Sequence, residues 1–124
     1  PKKSKVVILG LTFKENCPGT RNSKVEDIIK QLKTYDIDPV VVDPWADEKD
    51  AFREYGVKLS ELENAKNADC IIVAVAHNEF KKMSLDEIKA LFKDCPDNEK
   101  VLLDVKGLYS VSDLKKSGMN YWRL

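Results

Sequence analysis

Hydrophobic positions along this chain follow two different periods. Short apolar runs, typical of strands buried on both faces, recur at residues 6–9, 40–42, 71–75 and 101–103. The segments between them repeat apolar residues every three or four positions, which predicts amphipathic helices. Residues 120–124 have the pattern of a final short strand. Strands alternating with helices predict an α/β fold, a three-layer domain with a parallel sheet of five or six strands and helices on both faces.

Helix boundaries are signalled by short polar patterns. A serine followed three residues later by an acidic residue, as in a capping box, occurs four times: Ser23 with Glu26, Ser60 with Glu63, Ser84 with Glu87, and Ser110 with Asp113. The pair at Ser60 predicts a helix that continues to about Lys66, and residues 47–55 predict another short helix. Gly118 has the position of a glycine that ends a helix.

Size and charge limit the possible functions. The chain has 124 residues, which suits one domain, and its hydrophobic and charged contents of 43% and 34% suit a soluble globular protein. Lys+Arg and Asp+Glu number 21 each, so no overall positive field attracts nucleic acid or an anionic membrane. No apolar run is long enough to span a membrane. We therefore expect neither partner, and an anionic ligand would have to meet a local group of cations.

The cysteines are Cys17, Cys70 and Cys95. An odd number without a CxxC pattern argues against a disulfide framework and against a metal site, and it favours a reducing cytoplasm. Cys70 begins a predicted strand and is expected in the core, whereas Cys17 lies in a loop and is a candidate reactive thiol. Because the chain does not begin with Met, we expect a fragment of a longer protein.

The loop after the first predicted strand, Gly10 to Arg21, is richest in functional residue types. It leads into a helix whose N-terminus would offer free N–H groups and a positive dipole end to a phosphate. Lys14 and Arg21 add two cations, and Phe13 offers a flat face for a base or sugar. The alternative is a solvated loop with Phe13 in the core. The loop lacks both a GxGxxG and a Walker A pattern, so we expect no independent NAD binding.

Three other strand ends carry candidate residues. Lys106 is expected at the same sheet edge as Lys14, where the two could meet one anion, and Gly107 would permit a ligand to approach closely. The pattern alone favours an ordinary turn there. Asp43 is predicted to cap a turn rather than to bind a ribose. The single histidine, His77, is predicted to have a structural or surface role. Trp45 and Trp122 are expected to be apolar anchors, or contacts to another domain.

Three segments together resemble one family. They are Gly10-Leu-Thr-Phe-Lys-Glu-Asn-Cys-Pro-Gly-Thr-Arg-Asn-Ser23, Val42-Asp-Pro44 and Leu103-Asp-Val-Lys-Gly107, and their order and spacing are similar to the C-terminal domain of the UDP-glucose/GDP-mannose dehydrogenase family. The resemblance covers essentially all of residues 1–124. The stretch Val75-Ala-His-Asn-Glu-Phe80 and the ending Tyr121-Trp-Arg-Leu124 look most like the bacterial branch that oxidises UDP-N-acetylhexosamines for surface polysaccharide.

The resemblance implies a Rossmann-like, UDP-binding domain of an NAD-dependent UDP-sugar 6-dehydrogenase, which oxidises the C6 alcohol of the sugar to a carboxylate. In that family an N-terminal domain holds NAD and a central region supplies a catalytic cysteine. Neither the glycine fingerprint nor that cysteine context occurs in residues 1–124. The resemblance therefore implies that this chain carries no catalytic residue and is inactive alone, and that NAD is bound mainly elsewhere.

By the same resemblance, Phe13, Lys14 and Lys106 bind the UDP-sugar, and Arg21 reaches NAD held by an adjacent subunit. The implied partners are the protein's own N-terminal and central domains and a second subunit of a homodimer. Two positions depart from the family pattern. Gly19 stands where many relatives have Asp, and Lys106 stands where glucose-specific relatives have Arg, which weakens a bidentate contact.

Two other interpretations stay open. The domain could be an interaction module that builds the dimer and closes the active site, with little ligand affinity of its own. It could instead be a receiver-like signalling domain, with Asp43, Asp104 and Lys106 at strand ends. The second is weaker, because residues 71–76 end without a phosphorylatable Asp.

Overall fold

A computed structural model describes residues 4–124. Five strands form one parallel sheet: β1 (Val6–Leu9), β2 (Val40–Val42), β3 (Cys70–Val73), β4 (Val101–Asp104) and β5 (Asn120–Arg123). The helices are α1 (Val25–Thr34), α2 (Glu48–Tyr55), α3 (Asn78–Lys81), α4 (Leu85–Lys89) and α5 (Val111–Ser117), with short 3-10 turns at Leu62–Asn64 and Asp97–Glu99. The predicted α/β fold and final strand are confirmed.

The strands lie in the order β2-β1-β3-β4-β5, so the chain reverses its direction of travel across the sheet beside β1. Leu9 at the end of β1 is in register with Val42 of β2 and with Val73 of β3. Because all pairs are parallel, the loops that follow the strands meet at one edge. In doubly wound sheets of this order, ligands bind at that carboxyl edge, near the reversal.

Side chains on the strands alternate between two buried layers. One layer packs β-strand residues against α3, α4 and α5: Val7, Leu9, Ile71, Val73 and Leu102 meet Phe80, Ile88, Leu91 and Leu114. The other packs the opposite face against α1 and α2: Ile8, Val41 and Ile72 meet Val25, Ile29 and Ala51. Helices therefore cover both faces, as predicted. None of the helices in residues 4–124 has the length and apolar character needed to cross a membrane.

Three predicted helix boundaries are confirmed. Ser84 and Glu87 form a capping box at α4, with the Ser84 hydroxyl accepting from the Glu87 amide at 3.1 Å. Ser110 accepts from the Asp113 amide at 3.0 Å to begin α5, and Gly118 ends that helix in the left-handed region at φ 77°. These signals depend only on neighbouring residues, which is why the sequence contains them in full.

Two other boundary predictions are wrong. Ser23 forms no capping box, because its buried hydroxyl donates to the Leu11 carbonyl at 2.5 Å and α1 begins only at Val25. Ser60 begins no helix either. The segment after it makes only the 3-10 turn Leu62–Asn64, since Ser60 instead donates its amide to the Val41 carbonyl at 2.8 Å and so extends along β2.

Candidate functional site

Four exposed side chains identified in the sequence lie in loops that leave the carboxyl edge of the sheet. Phe13, Lys14 and Arg21 follow β1, and Lys106 follows β4. Phe13 is 53% exposed, so the alternative that buried it in the core is wrong. The strands β1 and β4 flank β3, which separates their axes by about 10 Å. The structure thus brings an exposed aromatic face and cations to one edge.

The loop that carries Phe13 and Lys14 is closed on itself. The Phe13 amide donates to the Gly19 carbonyl at 2.9 Å. The Thr12 hydroxyl, which is buried, donates to the Lys14 carbonyl at 3.0 Å. The two exposed side chains therefore project from a backbone that is fixed from beneath.

Gly10 sets the direction in which this loop leaves β1. Its φ of 109° is one that other residues rarely adopt, and an added Cβ would lie 2.5 Å from the Val75 Cβ. Its amide donates to the Val42 carbonyl at 2.8 Å. Only glycine fits where the loops after β1 and β3 cross so closely.

Asp43 organises two loops with one carboxylate. Its Oδ1 accepts from the amides of Trp45 at 2.8 Å and Ala46 at 3.0 Å, which confirms the predicted turn cap. Its Oδ2 accepts from the amides of Leu11 at 2.6 Å and Thr12 at 3.0 Å, in the loop after β1. This second use joins residues far apart in the chain and was missed from the sequence.

His77 is completely buried and joins the same loops. Its Nε2 lies 3.0 Å from Asp43 Oδ2 and 3.1 Å from Thr12 Oγ1, while its Nδ1 accepts from the Asn16 amide at 2.9 Å. A backbone N–H can only donate, so Nδ1 carries no proton and Nε2 carries it. The predicted structural role of His77 is confirmed, and the ring is a neutral imidazole of defined tautomer. We call Thr12, Asn16, Asp43 and His77 the Asp43 clamp.

The charge of Asp43 is maintained by its hydrogen bonds. Burial alone raises the pKa of Asp43, but the hydrogen bonds from His77 and from the Leu11, Trp45 and Thr12 amides outweigh burial and hold the pKa below its ordinary value of 3.8. Asp43 is therefore ionised at neutral pH, and its lone pairs are occupied by donors from the protein. This suits it to holding loops together rather than to binding a sugar hydroxyl.

Trp45 covers the clamp. Its ring stacks on His77, with centroids 6.1 Å apart and planes inclined by 26°. Its Nε1 donates to Glu79 at 2.9 Å, and that hydrogen bond holds the pKa of Glu79 below its ordinary value. Trp45 is anchored by these contacts, as predicted, and 37% of it stays exposed. Trp122 is not, because it lies 61% exposed on the edge strand β5.

The loop after β4 is arranged more simply. The fully buried Asp104 accepts from the amides of Leu108 at 3.0 Å and Tyr109 at 2.9 Å. Burial and the Asp104 charge raise the pKa of Tyr109 to about 12. An added Cβ on Gly107, whose φ is 65°, would lie 3.1 Å from the Arg123 guanidinium. The Arg123 side chain lies in the space beside Gly107, and the close approach of a ligand there stays a prediction. We call Asp104, Gly107, Leu108 and Tyr109 the Asp104 turn.

The predicted phosphate site at the start of α1 also needs correction. The Val25 amide donates to the Ser23 hydroxyl at 3.1 Å, and the Glu26 amide donates to the Ser23 carbonyl at 3.3 Å. Glu26 and Asp27 already place negative charge in the first turn. These amides are not free for a phosphate, so an anion at this edge depends on side-chain cations.

The cysteines are free and half-buried. Burial, with a further contribution from the charge of Asp69, raises the pKa of Cys70 to about 11, so this thiol stays protonated at neutral pH and packs against the core as expected. Within residues 4–124, no three His, Cys, Asp or Glu side chains are grouped so that they could hold a metal ion.

The fold and this edge define a doubly wound α/β domain with a cation-bearing loop at the usual ligand position. Residues 7–111 match the UDP binding domain of the UDP-glucose/GDP-mannose dehydrogenase family. The chain belongs to that family, as the resemblance implied, and the receiver-like interpretation is wrong.

Individual relatives agree. The chain is 46% identical over 105 residues to a UDP-N-acetyl-D-glucosamine 6-dehydrogenase of Pseudomonas aeruginosa, covering 85% of this chain and 24% of the relative. It is 39% identical over 119 residues to Protein CapL of Staphylococcus aureus, covering 96% and 27%. The chain thus spans about a quarter of the length of these relatives.

Solved structures share the fold. A crystal structure of an NDP-N-acetyl-D-galactosaminuronic acid dehydrogenase from Methanosarcina mazei Go1 matches with a TM-score of 0.81 at 24% identity, covering 97% of this chain and 24% of that one. A UDP-D-ManNAc dehydrogenase from Pyrococcus horikoshii matches with a TM-score of 0.72 at 19% identity, covering 99% and 26%. At these identities the likeness concerns the fold alone.

Proposed function

We propose that this chain is the UDP-binding domain of an NAD-dependent nucleotide-sugar 6-dehydrogenase, which oxidises the C6 alcohol of a UDP-sugar to a carboxylate. One observation carries the proposal. Phe13 and Lys14 are exposed together at the carboxyl edge, on a loop fixed by buried hydrogen bonds, in a chain of the matching family. The names of its relatives favour a UDP-N-acetylhexosamine as the sugar nucleotide.

In this proposal the exposed residues contact different parts of the ligand. Phe13 offers a flat apolar face to the nucleotide sugar, and Lys14 offers a charged donor to a phosphate oxygen. Lys106 approaches from the loop after β4. A lysine there offers a point charge rather than the bidentate fork of an arginine, so it attracts the phosphate without setting the orientation of the phosphate.

Arg21 has a separate role in the proposal. It lies exposed beyond the fixed part of the loop, and we assign it to NAD held by another subunit of a homodimer. The isolated chain is then a partial site. Its hold on UDP supplies remote binding energy, which positions C6 against groups that lie outside residues 1–124.

Calorimetric titration of the 124-residue chain with UDP tests the nucleotide site. Lys14→Ala should weaken binding, because a hydrogen bond to a charged group contributes about 1.5–3 kcal/mol. Lys30→Ala is the control, since Lys30 is a surface lysine on α1 with its side chain 70% exposed, and its one ion pair, with Glu26 at 3.9 Å, is also exposed. Equal affinities for wild type and Lys14→Ala would remove Lys14 from the site, and no binding by wild type would remove the site from this chain.

The interaction-module alternative predicts a different result. A domain that only builds a dimer would self-associate without measurable UDP affinity. Sedimentation of the chain with and without UDP separates the two functions, because ligand binding by a monomer supports the nucleotide site and a ligand-free dimer supports the module.

A further inference from the structure

Each buried hydrogen bond beneath the proposed ligand loop has a defined donor and a defined acceptor. The Asn16 amide donates to Nδ1 of His77 at 2.9 Å. The proton on Nε2 is shared between Asp43 Oδ2 at 3.0 Å and Thr12 Oγ1 at 3.1 Å. The Thr12 hydroxyl in turn donates a hydrogen bond to the Lys14 carbonyl at 3.0 Å. Each group in this series has only one donor–acceptor assignment that satisfies all the others.

Asn16 is held by more than its amide. Its φ of 57° places it in the left-handed region, which Asn tolerates better than most residues. Its side chain donates to Asn78 Oδ1 at 3.2 Å and accepts from the Asn78 amide at 2.9 Å. The loop is therefore tied down at both ends, at Thr12 and at Asn16, and Phe13 and Lys14 lie between the two ties.

We propose that His77 is a positioning residue of the UDP site. Its Nε2-protonated ring holds Thr12 and Asn16 together, so that Phe13 and Lys14 have their ligand-binding arrangement before UDP arrives. This inference rests on the proposed function, because it takes those two side chains as the UDP contacts. Order present before binding improves affinity, since the ligand then no longer has to immobilise the loop.

Two substitutions of His77 separate its two hydrogen bonds. In His77→Asn the side-chain oxygen takes the place of Nδ1 and still accepts from the Asn16 amide. In His77→Gln the side-chain nitrogen takes the place of Nε2 and still donates to Asp43, but nothing accepts from Asn16. Both remove the ring that Trp45 and Phe80 contact, and the asparagine leaves the larger space because it is one CH₂ shorter. Packing alone would therefore favour His77→Gln, the opposite of the order expected from the hydrogen bonds.

Calorimetry with UDP then gives the first result. In His77→Asn, Thr12 stays attached to Asp43 through its own amide, whereas in His77→Gln the Asn16 amide is a buried donor without an acceptor. We therefore expect His77→Gln to bind UDP about tenfold more weakly than His77→Asn. Equal affinities in the two variants, or weaker binding by His77→Asn, would overturn the proposal, because ring packing alone would then explain any effect. If neither variant folds, Thr12→Val replaces them. It keeps the Thr12 amide on Asp43 and removes the hydroxyl that joins Nε2 of His77 to the Lys14 carbonyl, so unchanged UDP affinity in that variant would overturn the proposal.

Nuclear magnetic resonance of the ligand-free chain gives the second result. We expect the nitrogen shifts of an Nε2-protonated neutral imidazole and a scalar coupling through the hydrogen bond between the Asn16 amide and Nδ1. The amides of Phe13 and Lys14 should become more mobile in His77→Gln than in His77→Asn. Absence of the coupling overturns the proposal. If the coupling is present and wild type does not bind UDP, the clamp stands and the proposed nucleotide function fails.

Discussion

Two strands of this sheet end in a buried aspartate, and the two carboxylates act over very different distances along the chain. Among the hydrogen bonds of residues 4–124, the Asp104 carboxylate accepts only from the amides of Leu108 and Tyr109, four and five residues ahead of it. Asp43 accepts from its own turn and also from Leu11, Thr12 and His77, which are 31 to 34 residues away. The Asp104 turn shapes one loop, whereas the Asp43 clamp sets the relative positions of three. An aspartate at the end of a strand can therefore hold only its own turn or join several loops.

The largest expected difference between the two regions concerns their glycines. Gly10→Ala should destabilise the fold by about 2–6 kcal/mol, because it combines overpacking with a strained φ. Its new Cβ would meet the Val75 Cβ at 2.5 Å, in the rigid crossing of two loops. Gly107→Ala would meet only the movable Arg123 side chain and should cost about 1 kcal/mol. Urea unfolding of both variants measures the difference, and equal losses would contradict it.

Substitution of the two aspartates should also cost more stability in the Asp43 clamp than in the Asp104 turn. Asp43→Asn leaves an amide group facing two backbone N–H donors and should cost about 2–4 kcal/mol, since each unsatisfied buried donor is expensive. Asp104→Asn leaves one such donor and should cost about 1–2 kcal/mol. The comparison is made by chemical denaturation at neutral pH. A larger loss for Asp104→Asn would show that the local turn matters more than the tie between loops.

Lowering the pH should remove the stabilisation that ionised Asp43 gives to the folded state. Its folded pKa lies below 3.8, while the carboxyl in the unfolded chain titrates near about 3.9. The unfolded state therefore takes up the proton first, and the stabilisation is complete above the unfolded pKa and is lost as pH falls toward the folded one. The difference in unfolding free energy between wild type and Asp43→Asn should narrow as pH falls below about 4. Exposed groups such as Asp97 are present in both proteins and cancel.

The smallest expected effect is on Tyr109, inside the Asp104 turn. Its pKa of about 12 should fall toward the ordinary value of 10.0 in Asp104→Asn, because the Asp104 charge raises this pKa together with burial and the charge of Glu87. Ultraviolet absorbance of the phenolate against pH measures this shift. Asp43→Asn is the control, and it should leave the titration of Tyr109 unchanged if the two regions are independent.

The fold was predictable because its signals are local. The run Val6–Leu9 shows its burial within four residues, and the Ser84 capping box needs only residue 87. The clamp was not predictable for the opposite reason. Nothing in the sequence around Asp43 indicates that the Leu11 amide, 32 positions away, will donate to it. In the same way, the Ser23 hydroxyl donates to the distant Leu11 carbonyl and therefore does not form the capping box that the sequence predicted.

The candidate site was likewise predictable only in part. The residue types at Phe13, Lys14, Arg21 and Lys106 indicated a ligand edge, and all four are exposed. Their ligand roles remain predictions. The sequence predicted a structural or surface role for His77 but not which loops it joins, because a single His with no neighbouring functional pattern carries no sign of its tautomer or of the loops that will surround it. That information arises only when three strands bring their loops to one edge.

Gly19 has a consequence for how such a site can change. It lies in the same loop as Gly10, yet an added Cβ there would meet nothing within 4 Å, and its φ lies outside the left-handed region. Its carbonyl, which every residue has, accepts the amide of Phe13. The fold therefore does not restrict which side chain can stand at position 19. A carboxylate or a neutral side chain can be exchanged beside the ligand loop while the fold stays the same, so specificity can evolve here without a penalty in stability.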